Sequence, residues 1–196
     1  APYAVEEMEK YKIPASITLA QGLLETGGGQ SRLAQQGKNH FGIKCKEDWT
    51  GKTMKHTDDA PNECFRVYDD PKQSYEDHSI FLATRKYYVG LFKLDPKDYK
   101  AWAHGLKKAG YATNPKYAHI LISKIEKYRL YEFDNTSKDE VYYAILKMYP
   151  ALNNDAVFMA QLSQEKQNDK VAPPTIKVDY TQGSYAKQQS KVAEIV

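Results

Sequence analysis

Three consecutive glycines, Gly27-Gly28-Gly29, stop a helical pattern that nothing before them interrupts. Glycine enters left-handed backbone freely, so the run marks a helix C-terminus. Upstream, Ile17, Ala20 and Leu24 fall on one face with Leu19 and Leu23 beside them, and Pro14 stands where a helix places its first residue. The spacing predicts a helix over residues 15–26. Thr18, Gln21, Gly22 and Glu25 form a small, polar stripe on the other side. A glycine inside a helix costs about 1 kcal/mol relative to alanine, which makes sense where something approaches the backbone closely, a ligand being one candidate. Glu25 stands in the last turn, facing the negative end of the macrodipole, and that field raises its carboxyl pKa. Burial beneath an apolar wall would raise it further, and a carboxyl still protonated near neutrality can donate to a leaving oxygen, as glycoside hydrolysis requires. A solvated glutamate ahead of a glycine cap gives the same local pattern, so the stripe alone does not decide.

Around this helix the chain alternates in character. A short amphipathic helix is expected over residues 3–11 and a polar turn or helix over 31–36. Residues 41–68 form the one convincing β region, with short strands expected at Phe41-Gly-Ile-Lys-Cys45 and Cys64-Phe-Arg-Val-Tyr68. Helical patterns resume over 71–87, 98–108 and 115–128. The order predicts an α+β fold, a mainly helical body with a small β lobe and a cleft between them. Asp134-Asn-Thr-Ser reads as a linker, so one domain is expected over 1–134 and an appendage over 135–196. In the appendage, the capping-box pattern Ser137-x-x-Glu140 leads into a helix ended by Pro150, a second helix begins near Asn154, and Pro173-Pro174 opens an extended polar tail.

Composition narrows the function classes. The 196 residues suffice for one full core, and 28 Lys and Arg against 25 Asp and Glu leave a net charge of only +3, with both signs mixed along the chain. That is far from the basic stripe of a nucleic-acid binder, so no nucleic-acid partner is expected. No apolar run approaches the roughly 20 residues that span a bilayer, and the Ala-Pro-Tyr start lacks a charged leader region, so the chain reads as soluble and already processed. Sixteen tyrosines and two tryptophans suit sugar faces as well as cores. Cys45 and Cys64 could form a disulfide, implying an oxidising compartment, or remain two buried thiols. With no further Cys or His pair at ligand spacing and no His-Glu-x-x-His helix, neither a metal nor another cofactor is expected.

Four segments in order, residues 21–29, Asn39-His-Phe-Gly-Ile-Lys44, Phe65-Arg-Val-Tyr68 and Ala109-Gly-Tyr-Ala-Thr-Asn-Pro-Lys-Tyr-Ala118, resemble the glucosaminidases of glycoside hydrolase family 73, over roughly residues 1–132. The family includes bacterial autolysins and the muramidase-like domain of flagellar rod proteins. The resemblance implies a lysozyme-like fold and endo-hydrolysis of the β-1,4 bond between N-acetylglucosamine and N-acetylmuramic acid in peptidoglycan glycan strands. It implies that Glu25 is the catalytic acid, with Thr26 replacing the family's common Ser and Gly28 its common aromatic residue. Asn39, Phe41 and Gly42 match the motif lining the cleft, and Tyr111 matches a tyrosine important for activity. Gln21 and Tyr117 join these as candidate substrate contacts. The second carboxylate falls by alignment on Asp59, with Asp58 and Glu63 as alternatives. Retaining, inverting and substrate-assisted routes all stay open, the first two differing in a carboxylate separation of about 5–5.5 Å or about 6.5–9.5 Å. A lytic transglycosylase and a non-catalytic wall-binding module are the rival readings. Residues 135–196 match no wall-binding repeat, which leaves a linker to a further domain or a docking or autoinhibitory element. A peptidoglycan substrate implies export to the periplasm, cell surface or beyond.

Overall fold

A computed structural model describes residues 1–47, 49–58 and 61–168. In chain order the helices are α1 (Pro2–Tyr11), α2 (Ala15–Glu25), α3 (Arg32–Gln35), α4 (Pro71–Thr84), α5 (Tyr99–Lys108), α6 (Tyr117–Lys127), α7 (Val141–Met148) and α8 (Ala156–Asn168). Strands β1 (Thr53–His56) and β2 (Glu63–Arg66) lie between α3 and α4. No helix among the described residues is long and apolar enough to cross a membrane. The packing divides the chain into Ala1–Ile145 and Leu146–Val196. Residues 135–145 therefore belong with the first unit, where Val141 is buried and the Lys138 backbone N–H donates to Glu9 of α1 at 2.8 Å. In the second unit the 3-10 turn Pro150–Asn154 packs on α8. The tail expected from Pro173 lies outside the described residues.

α2 is the helix around which the first unit is built. It packs against α1, α5 and α6 and against the 3-10 turn Leu130–Asn135. Its apolar face buries Ile17 and Ala20, and the core continues through Val5 and Ile13, Leu82 of α4, Trp102 and Leu106 of α5, and Leu121 and Ile125 of α6. Pro14 precedes α2 and offers no side-chain cap. The cap comes instead from Asp134, distant in sequence: the Ser16 backbone N–H donates to one carboxylate oxygen at 2.8 Å and the Ser16 hydroxyl to the other at 2.6 Å. A carboxylate there satisfies orphan donors and faces the positive end of the macrodipole.

The far end of α2 stops as the glycines require. Gly27, Gly28 and Gly29 have φ of 57°, 77° and 88°, all in the left-handed region. Thr26 closes the turn, its hydroxyl donating to the Gly22 carbonyl at 2.6 Å and accepting from the Gly29 N–H at 2.7 Å. Gly22 itself faces protein. A Cβ built there meets the Phe41 ring at 3.6 Å and the Tyr75 hydroxyl at 3.7 Å, ordinary contact distances, so the space against these two aromatic side chains would admit a methyl group.

The β lobe is smaller than its sequence suggests. β1 and β2 pair antiparallel in the register Thr53↔Arg66, Met54↔Phe65, Lys55↔Cys64 and His56↔Glu63. The expected strand at 41–45 is reduced to a single bridge between Lys44 and Phe65. The Asn39 side chain is the reason. Its carbonyl accepts from the Ile43 N–H at 2.9 Å, and its amide donates to the Ile43 carbonyl at 2.9 Å and the Arg66 carbonyl at 3.0 Å. These bonds wind the chain into a turn around Gly42, at φ 60°, in competition with a ladder. Cys45 and Cys64 are joined as a disulfide with their Cα atoms 5.3 Å apart, which settles a question the sequence left open.

Two stability outcomes follow from α2. Burial raises the Asp134 carboxyl to about 6, opposed by its Ser16 hydrogen bonds, whereas an unfolded aspartate titrates near 3.8. Between those values the native state holds the extra proton, so this group's contribution is fully present below about 3.8 and is lost as pH rises through 6. Urea unfolding of wild type and Asp134→Asn at pH 4 and pH 7 should show wild type losing up to about 3 kcal/mol relative to the variant on going to pH 7. Gly22→Ala should be accepted in the space available and raise stability by up to about 1 kcal/mol through helix propensity, readable in the same unfolding experiment.

Candidate active site

Glu25 is the last residue of α2, so its carboxyl emerges where the helix ends. The residue is exposed by area, yet surrounding protein strips enough water from the carboxyl to push its pKa upward. The charge of Asp58, on the loop after β1, adds to that rise. Loss of hydration acts first and the neighbouring carboxylate second, and both favour the protonated form. An acid that is open to a ligand and slow to ionise is what proton donation to a leaving group needs.

Behind Glu25 stands a connected set of rings. Phe41 stacks on His78 of α4, with centroids 4.1 Å apart and planes 16° apart, and meets Tyr75 edge-on at 4.9 Å. His78 meets Tyr111 at 6.4 Å, and Tyr111 lies on Tyr117 at 5.6 Å and 26°. Tyr88 and Phe81 close the far side of Tyr111 at 6.0 Å and 6.3 Å. Gln21, one turn before Glu25, donates its amide to the Tyr117 hydroxyl at 2.9 Å. The Tyr111 and Tyr117 hydroxyls are held well above the ordinary phenol range, by burial first and in part by the Glu25 charge. Both phenols therefore stay protonated beside the acid.

The structure thus brings Gln21, Glu25, Tyr111 and Tyr117 together, with Phe41 joined to them through His78. Their exposure assigns parts. Gln21, Phe41 and Tyr117 are buried, so they form the wall behind the carboxyl rather than a surface for a sugar. Asn39, 1% exposed with its amide engaged by backbone, acts from beneath by shaping the turn that carries Phe41 and Gly42. Tyr111 is half-buried, and with Glu25, Asp58 and Gly42 it keeps surface that a ligand could reach.

Asp59 lies outside the described residues. Of its two alternatives, Glu63 is held by Lys44 at 2.7 Å, while Asp58 stands 3.8 Å from the same ammonium and is the carboxylate whose charge reaches Glu25. The residues not anticipated from sequence are on α4 and just beyond it. Tyr75, His78 and Phe81 repeat every three positions on one helical stripe, a signal that a packed core produces equally. His78 is fully enclosed and its pKa is driven down to about 3 by burial, so it is a neutral ring in this wall and not a proton carrier. Among the described residues no His, Cys, Asp and Glu cluster suited to a metal occurs.

Comparison with known proteins identifies the family and the fold. Residues 1–130 match the family model described as mannosyl-glycoprotein endo-beta-N-acetylglucosaminidase. Over 139 residues the chain is 34% identical to exo-glucosaminidase LytG of Bacillus subtilis, covering 66% of this chain and 49% of that protein. Over 145 residues it is 28% identical to peptidoglycan hydrolase FlgJ of Vibrio cholerae, covering 67% of this chain and 43% of that protein. The chain thus spans about half the length of the curated relatives it matches. Among solved structures it is similar to a peptidoglycan hydrolase from Sphingomonas sp. A1, with TM-score 0.58, 31% identity and coverage of 67% of this chain and 86% of that one. The glycoside hydrolase domain of Salmonella typhimurium FlgJ gives TM-score 0.58 and 27% identity over 74% of this chain and 91% of that domain. The lysozyme-like α+β architecture expected from sequence is the one these structures share, and the chain belongs to the glucosaminidase family of glycoside hydrolases, family 73.

Proposed function

We propose that this protein hydrolyses the β-1,4 bond between N-acetylglucosamine and N-acetylmuramic acid in peptidoglycan, with Glu25 as general acid. The observation that carries the reading is the solvent-accessible Glu25 carboxyl with its pKa raised by lost hydration and by Asp58. The names of the relatives, a glucosaminidase and peptidoglycan hydrolases, support the substrate. In the reaction the Glu25 proton passes to the glycosidic oxygen as its bond to the anomeric carbon breaks, and a water supplies the hydroxyl that replaces it. Tyr111 reaches the same space and contributes a phenolic donor beside the acid, while Gln21, Tyr117, Phe41, Asn39 and Gly42 hold the wall and its turn in place. Of the two described carboxylates, Asp58 is the better placed for the second role, because its charge acts on Glu25 while Glu63 is held by Lys44. The aligned candidate, Asp59, is its neighbour in the chain.

The family description says endo and the Bacillus subtilis relative is named an exo enzyme. Glu25 is open by area, which suits a strand entering by its middle, so we favour the endo mode. A disulfide in the β lobe and a substrate outside the cytoplasmic membrane together support export. We treat the region after the first compact unit as an appendage that links to a further domain, and deleting residues 146–196 is expected to leave wall digestion intact. A rise in rate on deletion would make the segment inhibitory.

Digestion of purified peptidoglycan, with fragment ends identified by mass spectrometry, tests the reading. Wild type should release long fragments ending in reducing N-acetylglucosamine, and Glu25→Gln should be slower by about 10²–10⁴-fold. Anhydro ends would make the protein a transglycosylase, and single-residue release would make it an exo enzyme. Asp58→Asn should lower the rate more than Glu63→Gln. Removing the Asp58 charge also lowers the Glu25 pKa, so the alkaline limb of the Asp58→Asn pH–rate profile should move to lower pH. An unmoved limb would remove Asp58 from the site.

A further inference from the structure

The two ends of the β1–β2 hairpin are fastened differently. At the Thr53↔Arg66 end, the Arg66 guanidinium donates to Asp77 of α4 at 3.0 Å and the Tyr68 hydroxyl to the same carboxylate oxygen at 2.7 Å. The Tyr68 N–H donates to the Gly37 carbonyl at 2.9 Å, and the amide of the buried Asn39 to the Arg66 carbonyl at 3.0 Å. These bonds tie that end to the helical body. The other end, where His56 pairs with Glu63, is the tip, and Asp58 lies two residues beyond His56.

At the tip the covalent fastening is Cys45–Cys64. Cys64 follows Glu63, and its partner belongs to residues 43–45, which run along the edge of β2 opposite β1. There the Cys45 N–H donates to the Cys64 carbonyl at 2.8 Å and the Arg66 N–H to the Ile43 carbonyl at 3.0 Å. Lys44 adds ion pairs to Glu63 at 2.7 Å and to Asp58 at 3.8 Å, but these side chains are 22–56% exposed, where such pairs contribute little. A ribbon of two four-residue strands is marginal by itself in water. The cross-link therefore limits how far the tip can open, because it removes conformations from the loosened chain. Asp58 acts on Glu25 from this tip. Three ionisable groups stand against Glu25: Asp58, Tyr111 after α5 and Tyr117 at the start of α6. Both phenols keep their protons, so of the three only Asp58 brings a charge, and it does so only while the tip stays in place.

We propose that the Cys45–Cys64 disulfide is a positioning element for the active site, holding Asp58 against Glu25, so that its reduction slows hydrolysis without unfolding the helical body. The inference rests on the reading of Glu25 as general acid with Asp58 beside it. A dithiol carries out the reduction: it gives up two electrons and two protons, the S–S bond opens to two thiols, and the dithiol closes to its own disulfide. Both cysteines are half-buried, within reach of such a reagent. The core around α2, from Ile17 and Ala20 to Leu106, Leu121 and Ile125, lies outside residues 45–64 and keeps its packing when the link opens.

The test follows the Glu25 carboxyl by carbon-13 NMR across a pH series, its signal assigned by its loss in Glu25→Gln. Oxidised wild type is compared with wild type held reduced by dithiothreitol and with Cys45→Ser/Cys64→Ser. Both opened forms should titrate Glu25 at lower pH than oxidised wild type, because a distant Asp58 no longer opposes its ionisation. In an Asp58→Asn background, opening the link should move the midpoint less than it does in wild type. Peptidoglycan digestion should slow by about tenfold to 10²-fold in both opened forms, and dithiothreitol should not slow Cys45→Ser/Cys64→Ser further. An unmoved midpoint, an equal shift in the two backgrounds, or an unchanged digestion rate would each overturn the proposal. Loss of the helical circular dichroism signal on reduction would overturn it as well, by making the link a support of the whole fold. A wild type that leaves peptidoglycan intact would sink the hydrolytic reading, whereas the Glu25 titration decides by itself whether the link places Asp58.

Discussion

The hydrogen bonds between Ser16 and Asp134 tie the start of α2 to a turn more than a hundred residues further along the chain. α2 has no side-chain cap of its own, and its eleven residues span about 16 Å from that carboxylate to Glu25. Because Glu25 is the terminal residue of the helix, any fraying or shift of α2 would move its carboxyl directly. The helix is held at its N-terminus by charge and hydrogen bonding, along its length by Ile17 and Ala20, and at its C-terminus by the Thr26 hydroxyl and left-handed glycines. Those separate restraints leave Glu25 projecting from a firmly held element, which suits the role of general acid proposed for it.

The aromatic wall has an electrostatic role as well as a packing one. Phe41, His78, Tyr111 and Tyr117 displace water from one side of the site without adding formal charge, because His78 stays neutral and both phenols keep their protons. A carboxyl beside such a wall loses hydration and gains no cation in exchange. The Asp58 charge then adds a second, smaller contribution in the same direction. Lys44 pairs closely with Glu63 at 2.7 Å and at longer range with Asp58 at 3.8 Å, so of these two carboxylates Asp58 is the less fully compensated.

What could be read from sequence follows what is local. The period of α2, its glycine stop and the placement of Glu25 depend on neighbours within a few residues, and they were legible. Phe41 to Cys45 looked like a strand because its apolar pattern is that of one, but the Asn39 side chain closes residues 39–43 into a turn, so only the end of the segment pairs with β2, through Ile43 and Cys45. Gly22 suggested a close approach that the fold does not require, since a Cβ there would meet Phe41 and Tyr75, from segments further along the chain, only at ordinary contact distance. His78 was hidden within a stripe of ordinary helical spacing. The two cysteines could not be paired by spacing, since nothing in a sequence sets the distance between two Cα atoms.

The covalent link between Cys45 and Cys64 encloses β1 and the loop bearing Asp58 in a ring of 19-residue separation. Closure entropy rises only with the logarithm of loop length, so lengthening such a ring by half would cost only a few tenths of a kcal/mol. Glu25, by contrast, is borne by a helix wedged in the core, where an added residue would rotate the side chains beyond it by about 100°. A change of length is therefore cheaper in the ring than in α2, and the β-lobe side of the site can alter its reach without displacing Glu25.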